Sequence, residues 1–380
     1  MHNALTEIRI SRSALIHNVK AFRGVIGPKV QLMVVVKSNA YGHGVGECAP
    51  IFAKAGVDWF GVASLTEALQ LRHIVKTKPI LVLSFVDGGT AAIEKAIQQG
   101  IRLPAYTKEQ LRQYQRIAQR LKKSAFIHLK FDTGTSRIGF LPEELPMVVW
   151  YLQRLTNVQV EGVYSHFSEV ESNNKKFTLK QLDCFTTLVN NLESSLARRL
   201  IKHIDCSAGV LLEPQSHFDM VRVGMSAYGI HTVQDRKLIK HTYPKFSLIP
   251  VLTFHTTVIQ VKRVTKGVTI GYNRTFTCKK PTTIAVLPVG YWDGLDRKLS
   301  NIGSVIINGK HAPIRGRVCM NLTMVDVTGI AAVHVGSQVT FIGCAGPTCL
   351  TVEALAKQIG TISYEVLTRL NPSIARSLAP

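Results

Sequence analysis

Acidic residues are scarce in this 380-residue chain, which has 24 Asp and Glu against 46 Lys and Arg. The formal net charge at pH 7 is therefore +22, and a field of that sign attracts polyanions. A nucleic acid or an anionic membrane surface is for this reason a candidate partner at the outset. A hydrophobic fraction of 46% excludes collagen-like and disordered classes, and the length suggests two or three domains.

Long hydrophobic runs are also missing. The apolar runs at residues 32–36 and 80–83 fall well short of the roughly 20 residues that a membrane-spanning helix requires. The first seven residues lack the basic start and apolar core of a signal peptide. We therefore expect a cytoplasmic protein without a membrane partner.

Cysteine is infrequent and unpatterned. The seven cysteines are scattered, and none forms a Cys-x-x-Cys pair. Cys344 and Cys349 lie near each other, but no second pair is present that would complete a zinc site. The pattern predicts reduced thiols and no metal centre, in agreement with a cytoplasmic location.

Short apolar runs alternate with amphipathic stretches between about residues 30 and 230. The predicted strands are 31–36, 59–63, 79–84, 101–105, 125–131, 159–164, 201–206 and 219–223. The predicted helices between them include 65–74, 91–99, 109–121, 145–155 and 179–197. Eight such strands predict an α/β fold with an N-terminal (β/α)8 TIM-like barrel. On periodicity alone, a doubly wound open sheet remains the alternative.

The pattern changes after about residue 240, where β-rich segments are separated by Gly, Pro or Asn turns. These segments are 251–264, 283–288, 304–307, 317–327 and 337–342. A single late helix is predicted near 351–359. We therefore predict a C-terminal mostly-β domain, with the chain divided into residues 1–238 and 239–380.

Polar residues follow five of the predicted barrel strands. They are Lys37, Arg137, His166, Ser207 and Arg222, the last with Gly224 close behind it. Each alone has an ordinary structural explanation, because a lysine after a strand is usually a solvated loop residue. In a barrel, however, the carboxyl ends of all strands converge on the face where active sites lie. The combination therefore predicts an active site.

The residue types at these strand ends favour a phosphorylated aldehyde cofactor. A lysine that follows a buried strand is partly desolvated, and desolvation favours the neutral amine that forms a Schiff base. Small residues such as Ser207 and Gly224 allow close approach to a phosphate. Arginine guanidinium groups bind a substrate carboxylate through two parallel hydrogen bonds.

Several longer motifs accompany these residues in a fixed order. They are 35–44, 60–63, 132–134 with Arg137, 220–222 with 228–229, 290–294, 317–320 and 364–366. At these positions the chain resembles the alanine racemases, pyridoxal 5′-phosphate enzymes built from a barrel and a C-terminal β domain. The resemblance extends over roughly residues 5 to 370.

The resemblance implies a role for each matching residue. Lys37 is expected to be the Schiff-base lysine and one catalytic acid–base, and Tyr272 the second base, contributed by the partner subunit. Arg222 is expected to hydrogen-bond the pyridine nitrogen of the cofactor. The positions that match the phosphate-binding residues are Tyr41, Ser207, Gly224, Met225 and Tyr364.

Substrate contacts follow from the same resemblance. Arg137 and the backbone of Met320 match the positions that contact the substrate carboxylate. Lys130 matches a lysine that family members often carry as a carbamate supporting that arginine. His166 matches the histidine that links the pyridine-facing arginine to the tyrosine base. Tyr291 matches a residue at the substrate entrance, and Cys319 precedes Met320 in the C-terminal motif.

The implied activity is the interconversion of L- and D-alanine by two bases, which supplies D-alanine for peptidoglycan synthesis. The implied assembly is a head-to-tail homodimer with shared active sites. The chain departs from the usual family residues at Cys206, Asn321, 135–136, Ser165 and Ser168, and these changes bear more on substrate preference and rate than on reaction class.

Other functions remain open at this stage. A broad-specificity amino-acid racemase would use the same catalytic pair, whereas an amino-acid decarboxylase of this architecture resembles the chain less. The +22 charge also leaves a nucleic-acid-binding protein as an alternative, although the basic residues are dispersed and no recognised binding motif accompanies them.

Overall fold

The computed structural model describes residues 5–380, which form two compact units. One unit, here called the barrel unit, consists of Ala14–Ser38 and Ala49–Ile249. The other, here called the β unit, consists of the N-terminal residues through Ser13, Asn39–Cys48 and Pro250–Pro380.

Eight parallel strands form the barrel unit. They are β2 (Gln31–Val35), β3 (Trp59–Ser64), β4 (Ile80–Phe85), β5 (Leu103–Ala105), β6 (Ala125–Lys130), β7 (Val158–Tyr164), β8 (Ile201–His203) and β9 (Met220–Val223). Hydrogen bonding orders them as β4-β3-β2-β9 and β5-β6-β7-β8. Arg102 joins the two sets at one seam, where its N–H donates to Ile80 O at 2.9 Å, and Asp219 N donates to Lys202 O at 3.2 Å at the other. The sheet is therefore closed, which confirms the predicted barrel and rules out the open sheet.

Helices alternate with these strands. They are α1 (Arg12–Ile26), α2 (Lys37–Tyr41), α3 (Val45–Lys54), α4 (Leu65–Ile74), α5 (Gly89–Gln98), α6 (Lys108–Leu121), α7 (Leu145–Leu152), α8 (Lys176–Leu196), α9 (Ser207–Leu212) and α10 (Arg236–Thr242). Helix α6 illustrates the local causes: Thr107 Oγ1 accepts from Gln110 N at its start. Its buried residues Leu111, Tyr114, Ile117 and Ala118 recur at helical spacing. In the described part of the chain, no helix combines the length and apolarity needed to cross a membrane.

The interior of the barrel is packed with side chains from alternate strand positions. Met33, Trp59, Leu81 and Met220 come from four neighbouring strands and form one buried cluster. Gly162 in β7 belongs to this crowded region, because a Cβ there would lie 2.5 Å from His128 Nδ1 and 2.7 Å from Ile201 O.

The β unit holds the remaining strands. They are β1 (Glu7–Ser11), β10 (Leu252–Thr257), β11 (Gln260–Val264), β12 (Thr269–Ile270), β13 (Phe276–Thr277), β14 (Thr282–Leu287), β15 (Ser304–Ile307), β16 (Lys310–Pro313), β17 (Thr323–Asp326), β18 (Gln338–Ala345), β19 (Thr348–Leu350) and β20 (Ala375–Ala379). One sheet has the order β16-β15-β18-β10-β1-β20 with β19 paired to β18, and two smaller sheets are β11-β14-β17 and β12-β13. Its helices are α11 (Val352–Ile359) and α12 (Ser363–Thr368).

The two ends of the chain meet in this large sheet. Strand β1 pairs in parallel with β20, with Glu7 opposite Ala375, and antiparallel with β10, with Ile8 opposite Phe254. The sequence division assigned residues 1–238 to the first domain, whereas the structure groups the residues through Ser13 with the β unit. A five-residue strand carries no local signal of a partner some 370 residues away.

The prediction of a single late helix was wrong, because α12 follows α11. Helix α12 has only six residues, and Ile362 at its N-cap position provides no side-chain hydrogen bond. Neither the length nor a capping residue could have indicated it.

The prediction that all seven thiols are reduced was also wrong, since Cys344 and Cys349 form a disulfide. The two residues stand opposite each other in the hairpin of β18 and β19, with a Cα–Cα distance of 4.1 Å. The hairpin register brings them together, and the sequence does not reveal that register. The cysteines outside this bond are Cys48, Cys184, Cys206, Cys278 and Cys319.

Substituting Gly162→Ala should destabilise the barrel by about 1–3 kcal/mol, because the added methyl meets a ring and a backbone oxygen that cannot move aside freely. The measurement is the urea midpoint of unfolding. Gly24→Ala is the matched control, since Gly24 lies in α1 with nothing within 4 Å of an added Cβ. It should be neutral or slightly stabilising, and an equal loss in both variants would contradict the prediction.

Candidate active site

The residues that follow the barrel strands come close together in the barrel unit. His166 shows this most directly: burial lowers the pKa of its imidazole well below the ordinary value, and nearby cations lower it further. The cations that act on His166 are Arg222, Arg137, Lys130 and Lys37. Three strand ends, those of β2, β6 and β9, therefore deliver positive charge to one end of the barrel.

Lys37 begins a turn of unusual hand. Ser38, Asn39, Ala40 and Tyr41 have φ angles of 53°, 53°, 54° and 52°, so α2 is a left-handed turn made without glycine. Such backbone costs roughly 1–2 kcal/mol per residue. Side-chain acceptors hold this turn and the residues after it. Ser38 N donates to Glu67 Oε1 at 2.7 Å in the barrel unit, and Val45 N donates to Asn39 Oδ1 at 2.8 Å in the β unit.

The amine of Lys37 is tuned toward its neutral form. Burial lowers its pKa from the ordinary lysine value, and the positive charge of Arg137 lowers it further. The Glu67 carboxylate acts in the opposite direction without cancelling these effects. A lysine of lowered pKa is a nucleophile toward a carbonyl group near neutral pH.

Arg222 in β9 is a buried cation whose hydrogen atoms are directed at several acceptors. Its Nη2 donates to Ser165 O at 2.8 Å and to Ile204 O at 2.9 Å, and it lies 3.1 Å from His166 Nδ1. Its Nη1 lies 2.7 Å from His203 Nδ1. Because a guanidinium can only donate, both imidazole nitrogens that face it must accept. The arginine is thereby fixed in one orientation.

Lys130 at the end of β6 is also buried, with 5% of its surface exposed. Burial, followed by the positive charges of Arg222 and Arg137, lowers its pKa to about 7. The surroundings of Lys130 therefore favour its neutral amine over its ammonium form.

The loop after β6 carries Arg137 and is built around Asp132. The carboxylate of Asp132 accepts from the backbone N–H groups of Gly134, Thr135, Ser136 and Arg137 at 2.7–3.1 Å. Burial alone raises the pKa of this carboxyl, but the N–H donors outweigh it and the pKa is lowered. The loop is thus wrapped around one anionic side chain.

Three of the predicted phosphate-binding residues lie in the barrel unit. Gly224 N donates to Ser207 Oγ at 3.0 Å, which joins the end of β9 to the start of α9. Met225 follows in a fully buried 3-10 turn that spans Met225–Tyr228. The other two, Tyr41 and Tyr364, belong to the β unit, where their rings meet edge to face with centroids 5.9 Å apart.

Tyr272 lies in the β unit with 71% of its surface exposed. It follows Gly271, whose φ of +72° and closeness to Met324 leave no room for a side chain. Tyr272 shares a concave surface of this unit with Cys319 and Leu322.

Tyr291 and Met320 lie together in the same unit. Tyr291 N donates to Cys319 O at 2.9 Å, and Trp292 N donates to Met320 O at 3.0 Å. Gly290 makes this approach possible, because a Cβ there would overlap both carbonyl oxygens. The backbone of the C-terminal motif is therefore held by the glycine-containing segment at 290–294.

Three residues that accept hydrogen bonds from Arg222 had no predicted role. They are His203, the last residue of β8, and Ser165 and Ile204, whose carbonyl oxygens accept from the guanidinium. His203 lies four residues before Ser207, and strand alternation offered a weak indication that its side chain points into the barrel. No side-chain chemistry could have indicated Ser165, since its backbone makes the contact.

The barrel unit is closed, and its strand ends carry a lysine of lowered pKa, a buried guanidinium and a contact between Ser207 and Gly224. Together with a separate β unit, these features are typical of barrel enzymes with a C-terminal β domain. Two protein-family models match the chain: "Alanine racemase, N-terminal domain" over residues 10–232 and "Alanine racemase, C-terminal domain" over residues 251–378. The chain belongs to the alanine racemase family. Within residues 5–380, no group of three or more His, Cys, Asp or Glu side chains could hold a metal ion.

Individual alanine racemases are similar to this chain over nearly its full length. An alanine racemase from Methanococcus maripaludis is 38% identical over 368 residues, which is 97% of this chain and 96% of the relative. The structure of alanine racemase from Clostridium difficile 630 superimposes with a TM-score of 0.92 at 30% identity, covering 100% of this chain and 97% of that one. Alanine racemase from Bartonella henselae, solved with covalently bound pyridoxal phosphate, superimposes with a TM-score of 0.86 at 27% identity, covering 99% of this chain and 100% of that one.

Replacing Asp132 with Ala should loosen the loop that carries Arg137. Removal of the carboxylate leaves four backbone N–H groups without their acceptor, so their amide hydrogens should exchange roughly tenfold faster or more. Hydrogen–deuterium exchange of residues 133–138 measures this.

Asp87→Ala is the matched control, because Asp87 accepts from the backbone of Thr66, outside this loop. It should change protection only near the start of α4. Unchanged exchange at 133–138 in Asp132→Ala would show that the loop does not depend on this carboxylate.

Proposed function

We propose that this chain is an alanine racemase that interconverts L- and D-alanine with pyridoxal 5′-phosphate as its cofactor. The observation that carries the proposal is the convergence of a pKa-lowered Lys37 and a buried Arg222, held by four acceptors, at the carboxyl ends of the barrel strands in a member of the alanine racemase family.

The residues of the barrel unit fit this cofactor. Lys37 supplies an amine that reacts with an aldehyde, and the Ser207 hydroxyl with the Gly224 backbone supplies small groups that a phosphate can approach. Arg222 supplies a fixed donor for the ring nitrogen. Tyr41, Met225 and Tyr364 complete the proposed phosphate site. When bound, the cofactor delocalises the negative charge that develops at the substrate Cα as its proton leaves.

Two groups are needed to racemise the substrate, one on each face of Cα. We assign Lys37 to one face and Tyr272 to the other. When one of these groups removes the proton from its face of Cα, the other delivers a proton to the opposite face, and the reverse reaction exchanges the two roles. Arg222 donates a hydrogen bond to the ring nitrogen but does not release a proton to it, because a guanidinium stays charged. His166, which faces Arg222, links this arginine to Tyr272.

Substrate recognition is assigned to Arg137 and the backbone of Met320, which bind the alanine carboxylate. Lys130 supports Arg137 as a carbamate, and its pKa of about 7 provides the neutral amine that carbamate formation requires. Tyr291 and Cys319 lie beside Met320 and border the substrate entrance.

The proposed assembly is a head-to-tail homodimer in which Tyr272 completes the partner's active site. This proposal is supported by the exposure of Tyr272, Tyr291 and Met320 in the β unit, since large exposed apolar side chains commonly mark a protein interface. The proposed location is the cytoplasm. Five cysteines outside the disulfide are consistent with it, whereas the Cys344–Cys349 bond is not typical of that compartment.

The substrate profile tests the proposal against its nearest alternative, a broad-specificity amino-acid racemase. The purified protein should convert L-alanine to D-alanine and back at a higher kcat/KM than any other amino acid. Chiral chromatography of alanine, serine, lysine and arginine reactions measures this. Faster turnover of lysine or arginine would replace the substrate assignment, and release of carbon dioxide would favour a decarboxylase.

Two substitutions test the assigned bases. Lys37→Ala should abolish the visible absorbance band of the reconstituted protein and its activity, because no amine remains to hold the cofactor. Tyr272→Phe should keep the band but lose racemisation by at least about 10²-fold, a typical loss for one acid–base group. Because the two enantiomers have equal free energy, kcat/KM should fall equally in both directions, whereas exchange of the Cα hydrogen with solvent should be lost chiefly from the enantiomer whose proton Tyr272 removes.

The matched controls are Lys20→Ala and Tyr243→Phe, which change the same residue types outside the proposed site. Both should retain the band and the activity. Undiminished racemisation by Tyr272→Phe in both directions would eliminate it as a base. A colourless wild-type protein with tight, salt-sensitive DNA binding would instead favour the nucleic-acid alternative that the +22 charge suggested.

A further inference from the structure

A chain of polar side chains runs through the interior of the barrel and ends at Arg222. His203 Nδ1 lies 2.7 Å from Arg222 Nη1, and His203 Nε2 lies 2.9 Å from His128 Nδ1. His128 Nε2 in turn lies 3.5 Å from Glu161 Oε2. Glu161 is paired with Arg102 through two hydrogen bonds of 2.8 and 3.0 Å.

The two ends of this chain fix the hydrogen positions between them. The Arg222 guanidinium only donates, so His203 Nδ1 must accept. A neutral His203 then carries its hydrogen on Nε2 and donates to His128 Nδ1. His128 then carries its own hydrogen on Nε2, a buried atom that makes no hydrogen bond in the structure and lies 3.5 Å from the Glu161 carboxylate, which can only accept. Both hydrogen bonds therefore point away from Arg222, and the last contact directs the His128 hydrogen toward Glu161.

Adding a proton to either histidine would break this order. A cationic His128 would carry hydrogen on Nδ1 as well, and that hydrogen would face the hydrogen on His203 Nε2. The electrostatics agree: burial and then the positive charge of Arg222 lower the pKa of His203 well below its ordinary value, and burial also lowers that of His128. Burial raises the pKa of Glu161, but its contacts with His128 and Arg102 outweigh it and lower the pKa to about 2.

Aromatic packing holds both imidazole rings in place. The Tyr164 ring stacks on His203 with an interplanar angle of 1° and centroids 4.9 Å apart. The edge of Trp59 meets His128 at 5.4 Å, and Gly162 leaves the space that the His128 ring occupies. Both histidines are fully buried, whereas the Glu161 and Arg102 side chains keep 22% exposure.

We propose that His128 and Glu161 are positioning residues for Arg222, which act by fixing His203 as a neutral acceptor. The negative charge of Glu161 reaches Arg222 through two neutral imidazoles, and this holds the guanidinium charged and correctly oriented. Arg222 by itself favours the His203 tautomer with hydrogen on Nε2, and His128 adds the acceptor for that hydrogen. Without His128 the Nε2 hydrogen loses its acceptor, so the tautomer with hydrogen on Nδ1, which displaces the Arg222 donor, gains population. The catalytic consequence rests on the proposed racemase function, whereas the hydrogen positions do not.

Nitrogen NMR of the holoenzyme tests the hydrogen positions directly. With ¹⁵N-labelled histidine, His128 and His203 should both appear as neutral Nε2–H tautomers, identified by the signals that disappear in His128→Leu and His203→Gln. In His128→Leu, the hydrogen of His203 should redistribute to Nδ1. His128→Asn keeps an acceptor oxygen at the position of Nδ1, and it should preserve the wild-type tautomer of His203.

Kinetics and cofactor binding provide a second readout on the same variants. His128→Leu should lower kcat by roughly tenfold or more, because a misaligned charged hydrogen bond costs at least about 1.4 kcal/mol. KM for alanine should change little, since the substrate contacts are untouched, and His128→Asn should recover most of the loss. The kcat of Glu161→Gln should lie between those of His128→Leu and His128→Asn, because one amide oxygen cannot accept from both His128 and Arg102. Glutamine has the size of glutamate, so this variant should fold even if His128→Leu does not.

The control is His241→Leu, which removes an exposed histidine of α10 and should change neither readout. A wild-type His203 with hydrogen on Nδ1, or an unchanged His203 tautomer in both His128→Leu and Glu161→Gln, would overturn the proposal. Equal losses in His128→Asn and His128→Leu would also overturn it, as they would indicate a packing role alone. An inactive wild-type protein with the expected tautomers would reject the racemase function and leave the chain of hydrogen bonds intact.

Discussion

Burial of the Arg222 cation inside the barrel is the constraint on which the site depends. Removing a charge from water costs several kcal/mol unless hydrogen bonds replace the lost hydration. Ser165 O, Ile204 O and the imidazoles of His203 and His166 provide that replacement. Because these acceptors follow or end β7 and β8, the guanidinium can be buried only when those strands and β9 are in register. Closure of the barrel and formation of the site are therefore one event.

Positive charge is the second organising feature. Lys37, Lys130, Arg137 and Arg222 come together at one end of the barrel, and their mutual repulsion adds to burial in lowering the pKa of both lysines. The one acid built into the adjoining loop, Asp132, is engaged by backbone N–H groups. Such a site is left with an excess of positive charge, which favours a phosphate and a carboxylate as ligands. Only this small part of the +22 net charge has a structural role that we can assign.

Backbone strain is concentrated beside the reactive lysine. Four consecutive residues of L-configuration, Ser38–Tyr41, are in the left-handed region, which is rare without glycine. Strain of this kind persists only where surrounding contacts enforce it, and it clusters at functional sites. Here the strained turn begins directly after Lys37, the residue assigned to the chemistry. The proposed polar chain to Arg222 likewise depends on surrounding contacts, since Glu161 and Arg102 determine which way its hydrogens point.

The sequence by itself determined the eight barrel strands, five of the helices between them (α4–α8) and the strand-end residues, because hydrophobic periodicity and a lysine or arginine after a strand are local signals. It could not reveal the pairing of β1 with β20, the short helix α12, the disulfide of the β18–β19 hairpin, or the left-handed turn after Lys37. Nor could it show that His203 and His128 connect Glu161 to Arg222. These features depend on which distant strands become neighbours and on the register between them. Register is fixed when side chains pack across the whole barrel or sheet, so only the tertiary structure decided them.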